Sequence, residues 1–506
     1  MDFKPKPPKI RTRVVSVPIK AVRTPTSRIA SSAPPSDRYK LSNAGNPRMA
    51  TSTRRSEPLR KSSSTSRTLG KRRNIPSPPH FDESSSDEAS EDSSHLLGVS
   101  KRQKTSNSIE PISQNRCLEP DPKRHIRIYE GQERIVRPDS ASKAKDDIEP
   151  ARLTPGVDLT RGQWAKDYKP AFSADDAESN RVVELQYPSP ARPEQFELVV
   201  PRSDKGDEYN PLEDIYSNIE EIIQHYLPAP LVEQHKLSDE AVGIVRLLKR
   251  AVTKDSPSNF RAALTRFNAI VKDNMNGIST VIDDMHAIPL GLVQRIINQV
   301  YQRTVSWRSH RLRRVTDRKN TYGELLPHFV HTMFQITGLN SQHVFVDLGS
   351  GVGNVVLQSA LQTGAESHGI EILQLPAECA LDQASELRAR AKLWNISLGP
   401  ITLLQGDFLE SPHIDAVLRR ADVVLVNNKV FPTRVNNALL DKFLDLKRGC
   451  KVISLESFGG GAAGRMGVRN ENSIANLFDE ERRESGTNSV SWGSQSVEYF
   501  IATKTR

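Results

Sequence analysis

VFVDLGSGVGN, at residues 344–354, gives the clearest indication of the fold. It begins as a short apolar run, which is typical of a buried strand, and passes through an acid into three glycines at alternate positions. Apolar residues then recur at helical spacing over 355–361. The stretch therefore predicts a strand, a tight glycine turn and a helix, a unit whose backbone can approach a nucleotide-like ligand closely.

Two acids indicate which nucleotide-like ligand the turn would hold. A dinucleotide places its pyrophosphate at the helix start, where neutral amides suit it and a carboxylate does not. Asp347 instead suits a cationic ligand, such as the amino-acid part of S-adenosylmethionine with its ammonium and sulfonium. Glu371 ends a second apolar strand about 20 residues on, where a ribose presents its hydroxyls. A plain glycine turn between strand and helix is the alternative that this loop alone leaves open.

The positive charge of the chain is concentrated in its first 80 residues. They contain 19 Lys or Arg against 3 Asp or Glu, a net of +16, while all 506 residues net +10, which leaves −6 for residues 81–506. Residues 1–200 are rich in Ser, Pro, Lys and Arg and lack a periodic apolar pattern, so we predict that they are disordered. Basic clusters at 71–73 and 101–104 predict nuclear import, and the tail as a whole predicts contact with DNA. A merely solvated charged linker is the alternative.

Cysteine content and hydropathy exclude several classes of protein. Cys117, Cys379 and Cys450 lie far apart in the sequence, so neither a disulfide framework nor a metal site is predicted. We therefore expect a protein of a reducing compartment. No apolar run approaches the roughly 18 residues that span a bilayer, and the N-terminus lacks the apolar core of a signal peptide. We expect a soluble intracellular protein that makes no membrane contact and is monomeric.

The remaining sequence predicts two folded regions. Asn210-Pro211 predicts a helix start, and amphipathic segments follow, so a helical N-terminal lobe is expected over 209–338. From 339 to 506 strands alternate with helices, and the strands are predicted at 344–347, 369–372, 401–405, 423–427 and 451–455. A hairpin of 490–492 with 497–501 is expected to close this parallel sheet. The predicted fold is α/β, a seven-stranded class I methyltransferase domain and not a dehydrogenase.

Polar residues at the ends of the third and fourth strands are candidates for the site, because ligands of open α/β sheets bind there. Asp407 can accept from an adenine amino group, and the Phe408 ring can pack on the purine face. Asn427 and Asn428 are costly to bury without partners, so we expect both to form hydrogen bonds at the reacting centre. Core packing of Phe408, and amides that cap a local turn, are the alternatives.

The sequence resembles the disruptor-of-telomeric-silencing histone methyltransferases, which lack a SET domain. The resemblance covers about 209–503 and rests on YGELLP at 322–327, VFVDLGSGVGNVVLQSAL at 344–361, GDFL at 406–409, VNN at 426–428 and SVSW at 489–492. It implies transfer of methyl groups from S-adenosylmethionine to a lysine in the globular core of histone H3 on the nucleosome. Roles in chromatin regulation, telomeric silencing and the DNA damage response are also implied by the family.

The resemblance also implies roles for single residues. The residues implied to hold the cofactor are Tyr322, Gly323, Glu324, Asp347, Gly349, Ser350, Gly351, Gly353, Asn354, Glu371, Asp407, Phe408 and Asn427. Asn427 would also lie beside the methyl group, and Tyr322, Trp492 and Tyr499 would line the lysine channel. No His or carboxylate stands out as a dedicated base, so none is predicted. An apolar, aromatic channel lowers the pKa of a lysine by desolvation, and we expect its proton to leave to solvent.

Three departures from the family pattern concern the mouth of that channel. Lys429 stands where an aromatic residue usually follows the two asparagines, Glu456 replaces a basic or small residue, and Gly459-Gly460-Gly461 loosens the next loop. Lys429 therefore leaves a non-catalytic nucleosome-binding module as an alternative, which intact Asp347, Glu371 and Asp407 oppose. A DNA or protein-glutamine amino-methyltransferase would carry an Asn/Asp-Pro-Pro-aromatic run where this chain has NNKV at 427–430.

Overall fold

The computed structural model describes residues 116–128, 151–173, 181–203, 208–312, 323–458 and 474–506. The predictions for the basic tail, over 1–80 and at 71–73 and 101–104, fall outside these described residues. Tyr322 and Gly459-Gly460-Gly461 fall outside them as well.

The described residues ahead of the helices contain four short strands. These are β1 Tyr168–Pro170, paired antiparallel with β4 Val199–Pro201, and β2 Val182–Leu185, paired antiparallel with β3 Glu194–Glu197. Phe172, Leu185 and Phe196 from this part are buried in the main hydrophobic cluster. Ile126 is buried in the same cluster, and Arg127 forms a bridge with Ile396. The prediction of disorder up to residue 200 is therefore wrong for the described residues 116–128, 151–173 and 181–200. Strands of three or four residues are too short for a periodic pattern, and packing against the helices orders them.

Helices dominate the next part of the chain, as predicted. They are α1 Pro211–His225, α2 Ala229–Gln234, α3 Ile244–Thr253, α4 Pro257–Asp273, α5 Met275–Asp283, α6 Leu290–Thr304, α7 Ser309–Leu312 and α8 Pro327–Thr337. The predicted start of α1 is confirmed, because Asn210 accepts hydrogen bonds from the backbone N–H groups of Leu212 and Glu213. In the described part of the chain, no helix has the length and apolar character needed to cross a membrane.

Strands and helices then alternate to build the sheet. The elements are β5 Val344–Leu348, α9 Asn354–Gln362, β6 Glu366–Glu371, α10 Gln374–Leu393, β7 Ile401–Gln405, α11 Pro412–Leu418, β8 Val423–Val426, α12 Thr433–Phe443, β9 Lys451–Ser454, β10 Phe478–Glu484 and β11 Glu498–Lys504. The described residues form a seven-stranded sheet in the order β10-β11-β9-β8-β5-β6-β7. Strands β5 to β9 pair in parallel, and β11 is antiparallel to β9 and β10. The predicted fold class is confirmed for these residues.

The order of strands places the site. The chain runs outward from β5 through β6 to β7, and then returns to the other side of β5 with β8. Loops that leave the carboxyl ends of β5 and β8 therefore diverge and open a crevice between them, which is where such sheets bind ligands. The glycine turn at 349–353 lies at this point.

The closing hairpin differs from the prediction. β11 pairs with β10 and not with 490–492, which precede it directly in the sequence. Val490 instead forms isolated bridges with Leu325 and Gly493 and is buried. β10 escaped prediction because it is an exposed edge strand, whose run DEERRE carries no apolar alternation.

The helical lobe and the sheet share one hydrophobic core. A continuous cluster of buried residues runs from α1 and α6 into α9 and α10. The Trp394 indole, which follows α10, donates to Gln299 Oε1 on α6 at 2.9 Å. The predicted boundary at 338–339 therefore divides the chain by type of element, while packing is continuous across it.

Candidate active site

The glycine turn is held against the neighbouring strand β6. The backbone N–H groups of Gly349 and Ser350 both donate to the carbonyl of Ile370, at 3.0 Å each. Gly349 and Gly353 have φ values of +89° and +84°, a region that disfavours residues with a Cβ. The predicted strand, turn and helix are thus confirmed, and the turn depends on glycine for its conformation.

Glu371 lies at the carboxyl end of β6 with its carboxylate against the turn. Its Oε2 accepts from Gly351 N at 2.9 Å, and its Oε1 accepts from Leu373 N at 2.8 Å. Burial raises the pKa of Glu371, although these two backbone donors oppose the increase. A carboxylate oxygen can accept more than one hydrogen bond, so each oxygen keeps capacity for a hydroxyl group of a ligand.

Asp347 is a buried carboxyl group without a partner in the described part of the chain. It is 4% exposed, and no described group donates a hydrogen bond to its side chain. Burial, followed by the negative charge of Glu371, raises the pKa of Asp347 to about 8. A cationic group bound beside it would favour the ionised form, because an opposite charge lowers a carboxyl pKa. The pair Asp347 and Glu371 therefore fits a ligand that carries both a cation and hydroxyl groups.

The third strand ends in the predicted Asp407 and Phe408. Asp407 Oδ1 accepts from Leu409 N at 2.8 Å, which fixes the carboxylate at the strand end. The Phe408 ring stacks on that of Phe431, with centroids 5.9 Å apart and planes at 29°. Phe431 was not singled out in the sequence, yet its ring lies 3.6 Å from the place a Cβ on Gly349 would take. An aromatic residue in the loop after the two asparagines was the available signal.

The two asparagines after β8 have different structural roles. Asn428 is 1% exposed and ties the ends of β8 and β9 together. Its Oδ1 accepts from Leu455 N and Glu456 N at 3.0 and 2.8 Å, and its Nδ2 donates to the Glu456 carbonyl at 3.1 Å. The expectation that both amides reach a reacting centre is therefore wrong for Asn428, which has the capping role given as the alternative. Successive residues of an extended chain point in opposite directions.

Asn427 remains available at the site. Its side chain is half-buried and forms no hydrogen bond within the described part of the chain. An amide in this position can still accept and donate, so Asn427 is the polar group at the end of β8 that can meet a ligand or substrate.

Two of the departures from the family pattern contact each other. Lys429 Nζ lies 2.5 Å from Glu456 Oε1, and both side chains are nearly half exposed. The pairing of Val426 with Ser454 brings the loops after β8 and β9 together. Lys429 and Glu456 therefore form a compensating ion pair, where the sequence alone presented two separate irregularities.

The segment that follows Tyr322 packs against the loop before β11. Glu324 N donates to Ser491 Oγ, and Ser491 N donates to the Glu324 carbonyl, at 2.9 Å each. A Cβ on Gly323 would lie 2.4 Å from Trp492 Cε3, so glycine permits the contact. The Trp492 ring is 44% exposed, which leaves an aromatic surface beside residue 323. Glu324 is buried and accepts from the Tyr301 hydroxyl at 3.0 Å.

Tyr499 lies deeper than the other predicted channel residues. It is 2% exposed and packs edge-on against Phe329, with ring centroids 5.1 Å apart. Burial raises the pKa of Tyr499. These contacts make Tyr499 part of the hydrophobic core, and its predicted place in the channel lining stays a prediction.

Known proteins resemble this chain over much of its length. A family model described as "Histone methylation protein DOT1" matches residues 301–504. A protein of Emericella nidulans, "Histone-lysine N-methyltransferase, H3 lysine-79 specific", is 43% identical over 350 residues, which cover 69% of this chain and 68% of the relative. A protein of Aspergillus fumigatus with the same name is 39% identical over 423 residues, which cover 83% of this chain and 79% of the relative.

A solved structure shows a weaker likeness. The RNA methyltransferase from Salinibacter ruber in complex with S-adenosyl-L-homocysteine is 23% identical and has a TM-score of 0.25. The match covers 35% of this chain and 90% of that chain.

Proposed function

This chain belongs to the DOT1 family of histone methylation proteins, and we propose that it transfers methyl groups from S-adenosylmethionine to lysine-79 of histone H3 on nucleosomes. The two fungal relatives carry this activity in their names and match two thirds or more of their own length. The pair of buried carboxyl groups of Asp347 and Glu371, on either side of the glycine turn, is the structural feature that best supports this proposal.

The residues of the crevice fit S-adenosylmethionine. Asp347 is a buried carboxyl group whose ionised form a bound cation would favour, and the cofactor carries an ammonium and a sulfonium. Glu371 keeps acceptor capacity for ribose hydroxyls, and Phe408 offers a ring face to the adenine. We assign Gly349, Ser350, Gly351, Gly353, Asn354 and Asp407 to the same cofactor site. The bound cofactor would supply an electrophilic methyl group on sulfur.

The chain's own residues would orient and desolvate the lysine. The exposed ring of Trp492 supplies an aromatic wall, and we assign Tyr322 and Tyr499 to the same lining. An apolar wall lowers the pKa of a lysine, which yields the neutral amine needed for attack. Asn427 would align this amine, because its amide has no other partner in the described part of the chain.

Replacing Glu371 by alanine is expected to weaken cofactor binding while the protein stays folded. The loss of hydrogen bonds to a carboxylate corresponds to about 1.5 to 3 kcal/mol of binding free energy. Calorimetric titration with S-adenosylmethionine measures it. Glu366→Ala, the same change at the amino end of β6, is the matched control and should leave the affinity unchanged. Equal affinities for the wild type and the folded Glu371→Ala variant would remove Glu371 from the site.

Methyl incorporation tests the transfer itself. Purified protein and labelled S-adenosylmethionine are incubated with nucleosomes and with naked DNA of the same sequence. We expect label in histone H3 of the nucleosome and none in the naked DNA. Label in the DNA would contradict a protein substrate, and label in neither would favour the non-catalytic alternative.

We further propose that the basic tail holds nucleosomal DNA in the nucleus while the sheet domain reaches the histone. The net charge of +16 over residues 1–80 supports this, since residues 81–506 net −6 and would gain little from phosphates. Lys and Arg of an extended arm neutralise phosphates and release counterions, which gives attraction without sequence choice.

Deleting residues 1–80 should therefore weaken nucleosome binding and flatten its salt dependence. The slope of log K against log salt should fall by roughly one unit for each phosphate that the shortened protein leaves unneutralised. Fluorescence anisotropy with labelled nucleosomes at several salt concentrations measures the slope. A tail of equal length with Lys and Arg replaced by Gln separates charge from length. If the full chain, the deletion and the Gln-substituted protein had the same nucleosome affinity and the same slope, the tail would have no role in DNA binding. The affinity for S-adenosylmethionine should be the same in all three proteins.

A further inference from the structure

Two buried amides lie directly behind the glycine turn. Asn354 is the first residue of α9 and is 8% exposed, and Gln383 lies on α10 and is 0% exposed. Gln383 Nε2 donates to the carbonyl of Val352 at 2.6 Å and to Asn354 Oδ1 at 2.9 Å. Gln383 therefore contacts both the turn and the side chain that follows it. Its position on α10 gave no sign of this in the sequence.

The carbonyl of Val352 fixes the orientation of both amides. A backbone carbonyl only accepts, so Gln383 must turn its NH₂ group toward Val352. The same nitrogen lies within hydrogen-bond distance of Asn354, so Asn354 must present its oxygen to Gln383 and its nitrogen elsewhere. If Gln383 were apolar, nothing in this contact would select between the two orientations of the Asn354 amide.

The fixed orientation leaves an unused donor at the start of α9. Asn354 Nδ2 is buried and has no hydrogen-bond partner in the described part of the chain, and Gln383 Oε1 is a buried acceptor in the same condition. Buried polar atoms are costly unless a partner satisfies them. The N-terminus of a helix favours an anion, so a donor placed there suits a carboxylate.

We infer that Gln383 is a positioning residue for the cofactor, which holds the turn at Val352 and aims Asn354 Nδ2 at the carboxylate of the amino-acid end of S-adenosylmethionine. The inference rests on the proposed cofactor. The Asp347 carboxyl group provides an acceptor for the ammonium of the same amino-acid end. Gln383 thus acts through Asn354 and not by direct contact with the reacting atoms.

Ligands that differ at the amino-acid end test this role. S-adenosylmethionine, S-adenosylhomocysteine and 5′-methylthioadenosine share the adenosine, and the last lacks the carboxylate and ammonium. Gln383→Met should weaken the first two by about tenfold, the scale of one hydrogen bond to a charged group, and leave methylthioadenosine unchanged. A merely structural role would weaken all three alike, and that result, or no change in any, would overturn the inference.

A double-mutant cycle and a matched control complete the test. If Gln383 acts through Asn354, Gln383→Met should add little to the loss already caused by Asn354→Ala. Additive losses would contradict action through Asn354. Gln358 on α9 is a buried glutamine that likewise donates to a backbone carbonyl and to an amide oxygen, those of Pro327 and Gln362. Gln358→Met should change the affinity for none of the three ligands.

The outcome for Gln383 is separate from that of the proposed function. All affinities are measured by calorimetry without nucleosomes, so an absence of histone methylation does not affect them. If the wild type binds none of the three ligands, the cofactor assignment fails and the inference with it. If the Gln383→Met variant does not fold, Asn354→Ala provides the test by itself. Its affinity should fall only for the two ligands that carry a carboxylate. An equal loss of affinity for methylthioadenosine would overturn the inference.

Discussion

Asn427→Ala is expected to lower kcat on nucleosomes by more than about tenfold while the affinity for S-adenosylmethionine changes less, the pattern of a group that acts in the transition state. The reason is that Asn427 is the half-buried amide at the end of β8 that has no partner within the described residues. Steady-state methylation of nucleosomes and calorimetric titration of the cofactor measure the two quantities.

The neighbouring asparagine provides the matched control. Asn428 forms its hydrogen bonds within the protein, so Asn428→Ala should lower the midpoint of thermal unfolding, whereas Asn427→Ala should not. A folded Asn427→Ala variant with near-normal kcat would refute the proposed role of Asn427. A large loss of stability in that variant would show that both amides are structural.

Glu194→Ala is expected to destabilise the fold by about 3 to 5 kcal/mol, the cost of leaving buried charges without a partner. Glu194 accepts from Arg303 at 3.0 Å and from Arg390 at 2.8 Å, and all three side chains are fully buried. Burial alone would raise the pKa of Glu194, but Arg390 and Arg303 outweigh it and hold this pKa below its ordinary value. This carboxylate joins β3 to α6 and α10, and through α10 to the turn that Gln383 supports.

Urea unfolding of the wild type and the variant measures the destabilisation. Because the pKa of Glu194 is lowered in the folded state, its contribution is present above the unfolded pKa of about 4.3 and disappears as pH falls through the lower folded value. The stability of Glu194→Ala should therefore depend less on pH in that acidic range. Arg419→Ala, which breaks an exposed pair with Asp445, should cost no more than about 1 kcal/mol. Similar losses for both variants would contradict the importance of the buried network.

Local patterns made the centre of the sheet predictable. The strand, turn and helix around Asp347 follow from an apolar run, glycines that can take positive φ, and a helical repeat, all within about 20 residues. Glu371 and Asp407 could be placed at strand ends for the same reason. The carboxyl ends of parallel strands lie at the same edge of a sheet, so acids that directly follow such strands are expected to lie near one another.

Features that depend on neighbours distant in sequence were not predictable. Asn427 and Asn428 are adjacent residues of the same type, so the sequence alone could not distinguish their roles. The course of the chain after β8 decides which of the two side chains faces the crevice. The ion pair of Lys429 and Glu456 requires β8 and β9 to be adjacent and in register. Strands β1 to β4 carry too few residues for a pattern, and contacts with helices later in the chain order them.

Mass mapping of histone H3 from nucleosomes that carry either the native lysine-79 or arginine in its place tests the proposed function most directly. The protein and S-adenosylmethionine should methylate the native nucleosome at that lysine. Methylation should fall to background on the arginine nucleosome, and its rate on the native nucleosome should fall by more than about tenfold with the Asn427→Ala variant. Methylation of the arginine nucleosome at the native level, or no methylation of either nucleosome, would contradict the proposal.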